Sequence, residues 1–144
     1  MTAPRTTISA NAGAALLVLR VTLGIIMLAH GYQKLFIYGF GGITQGFAQM
    51  GVPMPGITGP LVTLLEFFGG IALIIGLLTR LAALGFVIDM LGAFALVHFK
   101  NGFFMPTGFE FVLMLLGASI AVMLGGPGDF SVDAMIAGRR RPAT

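Results

Sequence analysis

Residues Gly59–Leu78 read GPLVTLLEFFGGIALIIGLL, twenty positions with a single ionisable side chain, Glu66. A helix needs about 20 mainly apolar residues to cross the hydrocarbon core of a bilayer. The same string would also suit the core of a very apolar soluble protein, so the rest of the chain decides. It has 144 residues, of which 57% are hydrophobic and only 9% charged, and a mean hydropathy of +1.00. Soluble domains carry about 25% charged residues, and a soluble fold this poor in charge has too little to cover its surface. The sequence therefore reads as one integral membrane domain.

Three further windows match the first: about 13–32, 81–99 and 108–125. Arg20 interrupts the apolar run at 13–32, and no small-residue cleavage site follows cleanly. That window therefore reads as a span, not a cleaved leader. The expected fold is an all-α membrane protein, a four-transmembrane-helix bundle with a short interfacial helix in the first outer loop. That loop, KLFIYGFGGITQGFAQMGVPMPGITGP, places Ile43, Phe47 and Met50 at i, i+4 and i+7, the spacing of an amphipathic turn. Pro53, Pro55 and Pro60 are expected to forbid continuous helix until the second span starts at about Gly59. The domain reading is a tail at 1–12, a membrane domain at 13–126 and a basic tail at 127–144. Arg5, Arg80, Arg139, Arg140 and Arg141 fall on one side and Lys34 and Lys100 on the other. The positive-inside rule then puts both termini in the cytoplasm. Arg139–Arg141 reads as an anchor to that face, with no role in nucleic-acid binding.

Ionisable groups inside spans are expensive and must face protein or water. Counted at 1.5 Å per residue from the span centres, Arg20 falls roughly 4 Å to the cytoplasmic side and Glu66 roughly 5 Å to the outer side, with Asp89 near the midplane. Arg20 is thus expected to meet Glu66 or Asp89, either as a lock on helix register or as a proton relay or ligand contact. A second group, His30, Lys34, His98, Lys100 and Glu110, gathers near the outer span ends as candidate ligand-binding residues. The alternative for the lysines is snorkelling to head groups, and for the histidines an interfacial position. Arg20, Gly24, Met27, Gly31 and Lys34 share one helix stripe, glycine-rich enough for close packing. There is no cysteine, so disulfide and thiol chemistry within the chain are excluded. No Glu-x-x-His pair of the di-iron type occurs, and no metal is expected.

Arg20, the H-G-Y-Q-K end of the first span at His30–Lys34, the loop GFAQMGVPMPG, LLEFFGGIALIIGLLTR, HFKNGFF and the Gly-Phe-Glu110 start of the last span together resemble the DoxX family, from about Leu16 to Gly125. The resemblance carries over Arg20, Lys34, Glu66 and Glu110, with His98, Lys100 and Asn101. Asp89 lies outside the pattern. It implies a four-helix bacterial membrane protein linked to quinone chemistry, sulfur-compound oxidation and oxidative-stress defence, working beside soluble redox proteins. The leading expectation is an integral membrane subunit of a quinone-linked oxidoreductase system, with Glu66 and Arg20 at its centre, lipids around it and a homodimer as one form. A non-catalytic scaffold that recruits soluble redox enzymes, or a carrier for lipids or small molecules, stands as the alternative.

Overall fold

The computed structural model describes residues 7–139; Arg5, Arg140 and Arg141, and with them most of the expected basic face, lie outside the described residues. The described residues form helices joined by short turns, with no strand among them. Three stretches are long and apolar enough to cross a membrane, Asn11–Gln49, Pro55–Ile75 and Thr79–Asn101, and a fourth apolar helix, Glu110–Gly125, is shorter at 16 residues.

Helix α1 (Thr7–Tyr32) does not stop where the sequence suggested. It widens into a π-helical turn at Gln33–Tyr38 and continues, after Gly39 at φ 66°, as α2 (Gly39–Gln49). Ile43 is the buried residue of α2 and packs on α3 at Gly59. Helix α3 (Pro55–Ile75) starts earlier than expected. Pro55 stands in its first turn, where the missing N–H would have no partner anyway, and Pro60 forfeits only the bond to Gly56 near the helix start. Gly76 ends α3 at φ 74°, with the paired bonds Leu77 N–H to Ala72 O and Gly76 N–H to Leu73 O that close a helix through a left-handed residue. Helix α4 (Thr79–Gly92) runs on through a second π-helical turn, Ala93–His98, and a 3-10 turn, Phe99–Asn101. Helices α5 (Glu110–Gly125) and α6 (Val132–Arg139) complete the described residues.

The helices close a ring, α1 on α3, α3 on α4, α4 on α5 and α5 back on α1. Leu23, Met27, Leu73, Phe86, Leu115 and Val122 are among the residues that fill the centre. The α1–α3 contact is a glycine seam. A Cβ on Gly24 would lie 2.9 Å from Gly70 O, and one on Gly70 would lie 2.5 Å from Leu28 N. One on Gly31 would collide with the backbone of Glu66 and Phe67. Small residues of this kind let two backbones touch where no hydrophobic effect drives helices together. The seam fixes the register: Gly31 sits at Glu66, Gly24 at Gly70, and Arg20 at Gly76.

Candidate functional site

That register overturns the expected pairing of Arg20 with Glu66 or Asp89. Gly76 is ten residues below Glu66 on α3, which is about 15 Å of helix rise. Arg20 is buried, 1% exposed, and its Nη2 donates to Phe130 O at 2.7 Å. The segment after Gly125 is therefore packed on the bundle as far as α6. Asp133 of α6 accepts from the amides of Leu78 and Thr79 at 2.8 and 2.9 Å, capping the start of α4, while its own N–H bonds Gly76 O at 2.9 Å. Partial burial pushes the Asp133 carboxyl up, but the Thr79 and Leu78 donors and the nearby Arg20 guanidinium outweigh it and hold it below the usual carboxylate value. Arg20 thus ties α1 to the α3–α4 turn and to α6, at the end of the bundle opposite Lys34.

Glu66 is met instead by Lys34. Because Gly31 lets α1 lie directly on the Glu66–Phe67 backbone, the π-helical turn that follows carries Lys34 over Glu66, and Nζ stands 2.5 Å from Oε2. Glu66 itself is 4% exposed. From α4, Asp89 lies beside this pair, within hydrogen-bonding reach of the Glu66 carboxyl.

Lys34, Glu66 and Asp89 line a cavity of about 430 Å³, together with His30 and His98. The remaining wall is apolar, with contributions from Phe47 of α2, Val62 of α3, Ile88 of α4 and Phe111 of α5. Both π-helical turns border it, the first through Lys34 and the second through Ala93, Leu96, Val97 and His98. Such turns are rare and recur at functional sites because they displace side chains from the regular helix face. Each histidine is held by its own Nδ1: His30 to Ile26 O at 2.9 Å, with its ring 6.2 Å from that of Phe111, and His98 to Thr107 O at 2.9 Å. A cavity of this size, apolar with a few converging polar groups, is the usual form of a small-molecule site. Among the described residues no three His, Asp or Glu side chains converge in a way that would hold a metal ion.

The structure thus brings together His30, Lys34, Glu66 and His98 and leaves Arg20, Lys100 and Glu110 apart. Lys100 is exposed and does not border the cavity. Glu110 Oε1 accepts from Met105 N–H at 2.7 Å, so it clamps the loop before α5, and it borders a surface groove against Leu19 of α1 instead. Asp89, absent from the expected ligand set, belongs to the cavity. Its sequence signal was an acid near mid-span. The contributions of Phe47, Met50 and Val52 follow from the return of α2 across α3, which no local pattern announces.

The family model described as DoxX matches residues 15–99. The chain is 38% identical over 129 residues to "Inner membrane protein YqjF" of Escherichia coli, covering 83% of this chain and 90% of that protein. It is 31% identical over 120 residues to "Putative oxidoreductase CatD" of Bacillus subtilis, covering 83% and 85%. It is 28% identical over 124 residues to "Inner membrane protein YphA" of E. coli, covering 82% and 87%. No solved structure matches the chain.

Proposed function

The chain belongs to the DoxX family of membrane proteins, and on that premise we propose that it is the membrane subunit of a quinone-linked oxidoreductase system serving redox or oxidative-stress defence. The observation that supports this reading is the cavity. It is an apolar chamber inside the bundle whose polar groups gather around the half-buried Lys34, the buried Glu66 it pairs with, and Asp89 beside them. The name of the B. subtilis relative points the same way. A quinone has an apolar body, enters from lipid and exchanges protons when its ring is oxidised or reduced. Glu66 and Asp89 are carboxyl groups in contact distance of such a ring and able to hold or pass a proton; Lys34 supplies charge balance and a donor. Electrons travel between the quinone and a soluble partner, and the chain's task is to bind, orient and keep the head group away from bulk water.

The same proposal includes the topology. Helices α1, α3, α4 and α5 cross the membrane, α5 with a rise of about 24 Å extended by the turns on either side. The Arg80 end faces the cytoplasm, and α2 lies at the outer interface. Because the chain has no cysteine, single cysteines placed at Gly46 and at Gly138 report each side by accessibility to a membrane-impermeant maleimide. Labelling of both from the same side would sink this topology.

The functional test is binding of a short-tailed benzoquinone to purified protein in lipid nanodiscs, wild type against Glu66→Gln. Saturable binding weakened by the substitution, with helicity intact, supports the reading. Absence of saturable binding to either protein sinks it.

A further inference from the structure

A ligand of the cavity has to cross its wall, which is built from α1, α3, α4 and α5 with α2 above them. Three of the helix seams are bridged at that level. Gly31 of α1 lies on the backbone of Glu66 and Phe67 of α3. His30 of α1 faces Phe111 of α5, ring to ring, with centroids 6.2 Å apart. The second π-helical turn packs on α5, where the Phe94 and Phe109 rings are 5.0 Å apart and His98 Nδ1 bonds Thr107 O just before that helix. The α3–α4 seam is different. Toward the Gly76 turn it is tight: a Cβ on Gly69 would lie 2.9 Å from Phe86 Cζ, and one on Gly85 would lie 2.7 Å from Leu65 Cδ1. Further from that turn, contact gives way to cavity, and Val62 of α3 and Ile88, Gly92 and Leu96 of the α4 side all border it. Ile88 is 64% and Leu96 43% exposed, so these side chains form a rim shared by chamber and surface. A Cβ added at Gly92, in the middle of that rim, would meet nothing within 4 Å.

We propose that the ligand enters and leaves sideways, through the gap between α3 and α4, and so dissolves in the bilayer before it binds. This rests on the reading of the cavity as a quinone site and adds to it a route and a ligand class. On the proposed topology the gap lies within the hydrocarbon core, below α2, whose Phe47 and Met50 border the chamber from above. Lipid tails are as apolar as leucine, so an apolar ligand crosses a rim of valine, isoleucine and leucine without a change of surroundings. A polar solute would first have to give up its water to reach the same mouth. Glu66 and Asp89 stand at the floor of the chamber, on the turns of α3 and α4 that border it nearest to Gly76. A ligand whose head group reaches them leaves its tail in the gap among lipid chains. The class implied is a long-tailed, membrane-resident head group and not a water-soluble ring.

The test uses full-length protein in nanodiscs and a decyl-tailed benzoquinone. The chain has no cysteine, so Gly92→Cys and Met105→Cys each supply a single thiol beside the cavity, the first in the rim and the second on the loop before α5, where Met105 is 53% exposed. Each variant is purified once and divided into unmodified, methylthiolated and benzylthiolated portions, so that folding is common to all three. A ligand leaves by the path it enters, and an obstruction of that path slows both directions. The expected result is that the benzyl group at position 92 slows association and dissociation alike, by at least about tenfold, while the methyl group there and either group at position 105 change them little. Slowing at 105 and not at 92, equal slowing at both, or slowing at neither overturns the route while leaving the quinone site standing. Slower association with unchanged dissociation at 92 marks competition for the chamber and overturns the route as well. Failure of the wild type to bind the decyl benzoquinone saturably overturns the quinone reading itself.

Discussion

Replacing Lys34 by methionine isolates the interaction that the structure places at the centre of the cavity. The side chain keeps most of its length and loses its charge, leaving the buried Glu66 without its cation and with Asp89 beside it. Breaking one side of a buried pair costs about 3–5 kcal/mol. The loss has a ceiling, because Glu66 can take up a proton instead of staying charged. From a reference value near 4.3, neutralising a glutamate at 1.36 kcal/mol per pH unit costs about 3.7 kcal/mol at pH 7 and about 1 kcal/mol at pH 5. In the variant the folded state holds a proton that the unfolded state has released, so its stability falls as pH rises. The expected loss is thus about 3–4 kcal/mol at pH 7, shrinking to about 1 kcal/mol at pH 5. Lys34→Met combined with Glu66→Gln should recover most of it, since no charge is stranded. Reversible unfolding by SDS in mixed micelles, followed by helical circular dichroism, measures all three proteins at both pH values. A loss below about 1 kcal/mol at pH 7, or one that does not shrink at pH 5, would refute the reasoning.

Three further outcomes follow from the same geometry. Gly70→Ala should cost about 1–3 kcal/mol by prising α1 from α3, because its Cβ would press on backbone at Leu28, whereas Gly92→Ala, with nothing within 4 Å, should be neutral or slightly stabilising; thermal unfolding of the pair compares them. Arg20→Met should cost about 1–3 kcal/mol by stranding Phe130 O. Its effect should add to that of Glu66→Gln within about 0.5 kcal/mol, since the two residues sit at opposite ends of the seam; strong coupling in a double-mutant cycle would restore the pairing that the register denies. Asp133→Ala should cost about 1–2 kcal/mol through loss of the cap on α4. Because the folded carboxyl lies below its ordinary value, that contribution is complete above about pH 4 and fades as pH falls through the folded value, where variant and wild type should converge.

The glycines were legible in advance. Gly24 and Gly31 share a helix face with Arg20 and Lys34, and that face is the seam. Glu66 was legible as an intruder in an apolar run. Its partner was not, because depth counted from span centres assumes that each helix is regular and centred. The seam sets the register by where backbone can touch backbone, and α1 continues through a wide turn past Tyr32 that moves Lys34 into position. Arg20 was misassigned for a different reason. Its acceptor is a main-chain carbonyl on a segment that reads as a polar tail, and carbonyls leave no mark in a sequence. Glu110 likewise serves a backbone amide, that of Met105. A side-chain partner on a facing stripe follows from spacing only where both helices stay regular, and a partner that is a backbone atom leaves no spacing signal at all.

The bond between Arg20 and Phe130 also has a meaning for how the protein is made. Its two ends are 110 residues apart. At about 5–20 residues per second the ribosome needs roughly 5–20 s to deliver the acceptor after the arginine has been synthesised. Throughout that interval α1 carries a charged guanidinium with no native carbonyl to receive it. Until then Arg20 can be satisfied only by water or by groups it does not keep, so the bond that closes α1 onto the segment before α6 is among the last native contacts the chain can make.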